Sequence, residues 1–390
     1  MRQHPIGRVH VVGAGPIGLF LAALLQTVPG QRVRLYEKRR EYSRTRMVSL
    51  APYLLAPSID SYQADEFDGQ NVAAIFEPEE LETRLAYRRA IEPDLRALLE
   101  AWTQGFVPLN TIERALSELI DQRGGTAVER VDGALDVDGA LAALEPGDVL
   151  VDCTGTRSLF RDQLVPGDDP QRNTLRFRME HALVVTFLYS QHYECNEFCK
   201  YYKNAENPEY KFIPAVHRTY YDGDVSHVTG IVTITEDEFG QMPSTFDGAW
   251  LREHFPRIAE SMDRFIDKVI AETHGELVGD LDITRIPLDV YRARHATGTL
   301  GDAPVFLLGD SAIGSPYFQS ISLGLECAFF LAGHLANRAM SVPEVADRYE
   351  AFMYRQWLRV YMRTQLIKHN KDLLASVGDT MDLLSHLHVY

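Results

Sequence analysis

Cysteine is scarce: the 390-residue chain has four, too few and too scattered for a disulfide framework. Two of them lie in apolar or glycine-rich surroundings, where a thiol serves as a small core side chain. His192, Cys195 and Cys199 would give zinc three ligands, whereas a closed site takes four, and the usual pair of short ligand spacings is missing. No metal is expected, and that stretch reads as polar strand and loop. Basic charge is also short, with 39 lysines and arginines against 55 acids and a net charge of −16. Such a surface disfavours nucleic acid or an anionic membrane as the main partner. No run approaches the roughly 20 apolar residues of a membrane span, and no repeat or low-complexity tract occurs. The apolar run near the start is short and glycine-broken, unlike a signal peptide. The expectation is a cytoplasmic protein that meets a small-molecule substrate, with its oligomeric state left open.

Hydrophobic residues at 45% and charged residues at 24% give an ordinary globular composition. The length suits two domains or one composite domain. Residues 9–12 form an apolar strand, 17–25 an apolar helical run and 32–36 an alternating strand, which together make a β-α-β unit and a parallel sheet. Ile112, Ala115, Leu116, Leu119 and Ile120 make a helical stripe over 111–122, stopped by Gly124-Gly125 before a strand at 126–128. Another strand falls at 148–151. From 175 to 286, β-branched and aromatic runs at 182–189 and 228–235 alternate with turn residues, the signature of an antiparallel sheet. A buried strand returns at 305–308, a long apolar helix covers 323–339, and the pattern after Pro343 is helical, with Trp357, Val360 and Tyr361 on one stripe.

Between the first strand and its helix stands Gly13-Ala14-Gly15-Pro16-Ile17-Gly18, a G-x-G-x-x-G run. Gly13 permits the tight turn, Gly15 lets a diphosphate approach the backbone, and Gly18 lets helix and strand pack closely. Pro16 suits a first helical turn, where its missing N–H costs nothing. The helix start offers N–H groups and a positive dipole end to the diphosphate. Glu37 ends the second strand about 20 residues on, where a carboxylate accepts ribose hydroxyls. Strand, turn, helix and acid together predict a dinucleotide, NAD or FAD.

Residues 11–37 with Lys38-Arg39 and Arg46, and far later Leu307-Leu308-Gly309-Asp310-Ser311-Ala312, resemble the para-hydroxybenzoate hydroxylase superfamily of FAD-dependent monooxygenases. Residues 37–50 are similar to its MICAL-type branch. The likeness also touches Asn110, residues 148–161 and residues 305–328, and leaves the insert without a counterpart. It implies a Rossmann-type FAD-binding domain in two parts (1–174 and 287–342); with the strand and helix patterns above, the expectation is an α/β fold in which this domain carries an inserted, mainly antiparallel β substrate domain (175–286) and C-terminal helices (343–390). It places Gly309 and Asp310 at the flavin ribityl chain. Ser322-Leu323-Gly324, at a helix start, would then present N–H groups to the flavin pyrimidine. Asn110 falls where the family contacts FAD, or is simply a helix N-cap. Arg46 lies on the segment that passes the isoalloxazine, with Arg44 as the competing candidate. Thr154-Gly155 stands at the family's Asp-Gly motif, with Thr154 in place of the acid at a position tied to NADPH as well as FAD. The loop after Asp310 is longer than the family's, and Tyr317 and Phe318 in it are expected to line the substrate pocket.

The function implied is a flavin monooxygenase. Reduced FAD forms a C4a-hydroperoxide with oxygen and transfers one atom to an apolar or aromatic molecule, its electrons coming from NAD(P)H or a separate reductase. No side-chain nucleophile is required, and no catalytic acid or base is singled out among His181, His217 and His295. Tyr201, Tyr202, Phe212, Tyr220 and Tyr221 suit either an aromatic substrate or strand packing. Two other readings are a flavoprotein reductase or dehydrogenase acting on an unsaturated substrate, favoured by Thr154, and a non-catalytic flavin-bearing interaction protein.

Overall fold

The structure, a computed structural model, describes residues 6–44, 47–55, 91–104, 106–125, 127–169, 171–190, 210, 212–214, 220–222, 225–273, 275–315 and 320–386. The chain forms two compact units, Met1–Phe177 with Val290–Thr364, and Arg178–Asp289 with Gln365–Tyr390. It is a mixed α/β protein with a parallel sheet and a separate antiparallel sheet.

The first unit opens with β1 (Arg8–Val12), α1 (Pro16–Gln26) and β2 (Arg32–Glu37), the two strands pairing in parallel. A crossover helix is what parallel neighbours require, and α1 buries Leu19, Phe20, Leu21, Ala22, Ala23 and Leu25. There follow β3 (Met47–Ser49), α2 (Pro93–Trp102), β4 (Phe106–Pro108), α3 (Leu109–Arg123), β5 (Val128–Asp132), α4 (Val137–Ala143) and β6 (Val149–Asp152). β3 and β4 form a small antiparallel ribbon. The strand expected at 126–128 starts at Val128, because Gly124 and Gly125 both take positive φ (62° and 82°) and prolong the turn.

The second unit is entered along β7 (Thr174–Tyr189) and holds β8 (Ile213–Pro214), β9 (Tyr220–Asp222), β10 (Val225–Ile234), α5 (Glu236–Gln241), α6 (Gly248–His254), α7 (Pro256–Thr273) and most of β11 (Leu277–Ala293). Along β7 the buried set alternates, Leu183, Val185, Phe187 and Tyr189. On α7 it follows helical spacing through Ile258, Met262, Phe265, Ile266 and Val269, and both sets join one core. The expectation of a mainly β insert missed these helices, although Pro256 at the start of a 3.6-residue apolar period marks α7 in the sequence. Phe212 is a core residue, fully buried and stacked on Phe265 at 6.0 Å. Tyr201 and Tyr202 lie outside the described residues, as do His192, Cys195 and Cys199.

The first unit resumes with β12 (Thr297–Leu300), β13 (Ala303–Leu307), β14 (Ile313–Gly314), α8 (Ser320–Ala336) and α9 (Val342–His386). Its sheet has the order β12-β13-β6-β1-β2-β5, parallel except for β12. The expected C-terminal helices are one helix of 45 residues, started by a capping box between Ser341 and Glu344. Its contacts divide, residues through Thr364 going with the first unit and those from Gln365 with the second. No described helix is long and apolar enough to cross a membrane.

One polar group is sealed into the parallel sheet. His10 on β1 is fully buried, with Nε2 2.9 Å from Asp148 Oδ2 and Nδ1 2.9 Å from the Tyr36 hydroxyl. A neutral ring satisfies both, Nε2–H donating to the carboxylate and Nδ1 accepting from the phenol. Burial lowers the imidazole below its ordinary value, and the bond to Asp148 offsets this only in part. The unfolded chain therefore binds a proton that the folded one refuses. Stability is full above about pH 6.5 and falls as pH drops from there towards the folded value, by at most about 1.4 kcal/mol per pH unit for one proton. His10→Gln keeps one donor and one acceptor without titrating. Denaturant unfolding between about pH 5 and 7 should show a flatter pH dependence in this variant, and an unchanged slope would refute the assignment.

Candidate cofactor site

At the end of β1 the chain turns at Gly13, whose φ of +100° only glycine adopts readily. Gly13 N–H donates to the Tyr36 carbonyl at 2.9 Å, and a Cβ here would stand 2.7 Å from the Cys153 carbonyl oxygen. The turn is thus wedged between the ends of β2 and β6. A Cβ on Gly18 would collide with the Gly13 carbonyl, so the first turn of α1 also requires glycine. Gly15 is the N-cap of α1 without a side-chain cap, followed by Pro16 and Ile17. The N–H groups of the first turn have no acceptor within the helix.

Two guanidinium groups border the open side of this turn. A Cβ on Gly15 would lie 3.3 Å from Arg44 Nη2 and 3.9 Å from Arg39 Nη2. Arg39 donates to Glu37 through its backbone N–H (2.9 Å), Nε (3.2 Å) and Nη2 (3.1 Å), and the Ala14 N–H is a further donor to that carboxylate. Burial pushes the Glu37 carboxyl up, but the Arg39 bonds outweigh it and hold it below the usual range. Glu37 keeps acceptor capacity, since an ionised carboxylate offers about four lone-pair positions. Lys38 is exposed beside it.

Arg39 and Arg44 also share Glu113 Oε1 on α3. Glu113 is fully buried, its Oε2 has no partner, and neither has the buried Oδ1 of Asn110 one turn earlier. Asn110 is not the N-cap: Pro108 holds that position, and Asn110 is held through its N–H to the Arg44 carbonyl at 2.8 Å. Arg46 lies outside the described residues, and of the two candidates it is Arg44 that stands at the turn. The Glu113 contacts span 69 and 74 positions and left no periodic trace to read.

The other expected segments meet the same edge of the sheet. Asp152, fully buried at the end of β6, accepts from the Thr154 N–H (2.9 Å), the Thr154 hydroxyl (2.6 Å) and the Ser158 hydroxyl. Desolvation raises its carboxyl against these bonds. An acid therefore stands two residues before Thr154 and binds the loop that carries Gly155. After β13, Gly309 takes φ +71° and Asp310 follows in a short 3-10 turn. The Leu308 N–H donates to the Asp152 carbonyl at 2.9 Å. Arg161 spans both loops, donating to the Thr156 and Ser311 carbonyls, and stacks on Tyr291, whose hydroxyl donates to the Asp310 carbonyl at 2.6 Å.

Helix α8 starts at Ser320, so Ser322, Leu323 and Gly324 lie within its first turns rather than ahead of it. A Cβ on Gly324 would meet Ile17 Cδ1 at 2.6 Å and Gly309 Cα at 3.6 Å, which brings the three segments together. Ser322 accepts from the Ala51 N–H at 2.9 Å. Tyr317 and Phe318 lie outside the described residues.

No family model and no curated protein matches the chain. Solved structures do. The chain is similar to the Diels-Alderase PyrE3 of pyrroindomycin biosynthesis (TM-score 0.56, 15% identity, covering 97% of this chain and 79% of that one). It is similar to CabE, an aromatic hydroxylase from angucycline biosynthesis (0.55, 17%, 98% and 73%), and to the flavin-dependent brominase Bmp2 (0.51, 14%, 95% and 92%). At these identities the likeness is one of fold. The fold is shared with an aromatic hydroxylase, a flavin-dependent halogenase and a flavin-dependent brominase, and since the Diels-Alderase PyrE3 shares it too, the reaction has to be argued from the site.

The exposures around Glu113 order two substitutions. Its own side chain is fully buried, whereas that of Arg44 is 44% exposed. Arg44→Ala leaves the buried Glu113 carboxylate with Arg39 as its remaining donor and should cost about 1–3 kcal/mol, while Glu113→Gln leaves Arg44 in water and Arg39 on Glu37 and should cost less. Denaturant unfolding of the two variants checks the order, and a larger loss for Glu113→Gln would refute it.

Proposed function

We propose that the chain is an FAD-dependent monooxygenase that inserts one atom of O2 into an apolar or aromatic small molecule. The observation that carries the reading is the pair Arg39 and Arg44 at the open side of the glycine turn, in a chain of net charge −16. A diphosphate suits guanidinium forks and an unsatisfied helix start together. The unpartnered Glu113 Oε2 and Asn110 Oδ1 beside it are acceptors that hydroxyl-bearing groups satisfy. FAD rather than NAD is favoured because Gly309 and Gly324 are held against Ile17 of that turn, offering a second contact region to a longer cofactor.

In this reading Gly13, Ala14, Gly15, Pro16, Ile17 and Gly18 take the diphosphate, Glu37 takes the adenosine ribose, and Lys38, Arg46 and Asn110 flank the cofactor. Thr154-Gly155 and Gly309-Asp310 hold the ribityl region. Ser322, Leu323 and Gly324 lie in the first turns of α8, whose positive dipole end favours negative charge on the ring. Tyr317 and Phe318 form a pocket wall. The first unit is then the FAD-binding domain and the second the inserted substrate domain. The chemistry supplied by bound, reduced FAD is the activation of O2. The second oxygen atom leaves as water, on two electrons from NAD(P)H or a separate reductase. A reductase or dehydrogenase is the second reading, favoured by Thr154, whose N–H and hydroxyl are both committed to Asp152.

The purified protein should be yellow. Gly15→Val should abolish flavin uptake by filling the seat beside Arg44, and Glu37→Ala should weaken FAD by about 1.5–3 kcal/mol, the loss of a charge-assisted bond. Absorbance titration of the apoprotein reads both, and a colourless protein that takes up only NAD would overturn the cofactor. For the reaction, substrate-stimulated NAD(P)H oxidation should consume oxygen in equal amount, whereas turnover that persists without oxygen would identify the reductase.

A further inference from the structure

Between the end of β11 and α9 lies an open cavity of about 890 Å³ whose lining includes Arg292, Arg294, His295, Tyr354 and Arg355. None of its lining residues belongs to the glycine-turn site. Three guanidinium groups gather here in a strongly acidic chain. Of the two acids that also line it, Glu350 is committed to the strand: its Oε2 accepts from the N–H groups of Ala296 (2.8 Å) and Thr297 (2.9 Å) and from the Thr297 hydroxyl (3.1 Å). Asp347 is exposed. Arg292 stands over the rings of Tyr354 (5.2 Å) and Trp357 (5.0 Å), and its Nε is buried with no hydrogen-bond partner. Tyr354 is 49% exposed and offers an aromatic face to the cavity it lines.

We propose that this cavity is a second ligand site, and that it takes a nucleotide, with phosphate oxygens on Arg294 and Arg355 and a flat base against Tyr354. The guanidinium fork matches phosphate in a bidentate way. Aromatic side chains stack on the face of any base. The volume lies within the roughly 300–1,000 Å³ of small-molecule sites. An aliphatic acid would use the cations and leave the aromatic face idle, whereas a nucleotide uses both.

The test is a calorimetric titration of ADP into the protein saturated with FAD, so that the glycine turn is filled. One saturable ADP site is expected, with inorganic phosphate and adenosine each binding more weakly than ADP. The double variant Arg294→Ala/Arg355→Ala should lose at least about tenfold in affinity, the scale of one charge-assisted bond. Asp347→Asn, which only removes an opposing charge, should tighten binding. Absence of a saturable site, equal binding of phosphate or adenosine, or indifference to the double variant would overturn the proposal. ADP that binds only until FAD displaces it is occupying the glycine turn and overturns it equally. If the protein takes up no flavin, the dependence of the ADP signal on Arg294 and Arg355 still decides this site separately from the monooxygenase reading.

Discussion

Parallel pairing of β1, β2, β6 and β13 brings four strand ends to one edge of the sheet, and the candidate site is assembled there. The ladder closes with three backbone bonds, from the Gly13 N–H to Tyr36, from the Cys153 N–H to Val12 and from the Leu308 N–H to Asp152. Each is the last bond of its strand pair, and each is followed at once by a loop that carries expected cofactor residues. Open α/β sheets place ligands outside the carboxyl ends of their strands for this reason: the ladder is exhausted there, and backbone groups face outwards.

Charge at that edge is arranged around one buried acid. Glu113 holds Arg39 and Arg44 at the mouth of the glycine turn, and Glu37 holds Arg39 from the other side. Without these anchors two flexible cations would have to be ordered at the moment of binding, at a cost in side-chain entropy. The acids reduce the net positive charge at the mouth but fix its position. Fixed donors bind a diphosphate better than mobile ones of greater charge.

Much of this edge was legible because its signals are local. Gly13, Gly15 and Gly18 are required by a turn and a close contact within six residues, Glu37 by the end of a strand, and Gly309-Asp310 by a positive φ after a buried run. What escaped is what distance in sequence hides. Glu113 reads as a solvated acid on an amphipathic helix until Arg44 is folded against it. Arg161 reads as one more surface cation until the Thr156 and Ser311 carbonyls converge on it. Helix α7 was lost for a different reason: short turn-rich segments on both sides gave its neighbourhood the texture of a β region. Asn110 reads in sequence either as a cofactor contact or as a helix cap, and the cap reading fails because Pro108 occupies that place.

The single guanidinium of Arg161 answers to two carbonyls 155 positions apart in the chain, Thr156 at 3.1 Å and Ser311 at 3.3 Å. A yoke of this kind ties the two loops together, because the two bonds leave one rigid planar group and a shift of either carbonyl strains the bond to the other. Heredity inherits the same constraint: a change of length or shape near residue 156 is tolerated only in company with a matching change near residue 311. In descendants of this chain the two loops are bound to drift as a pair.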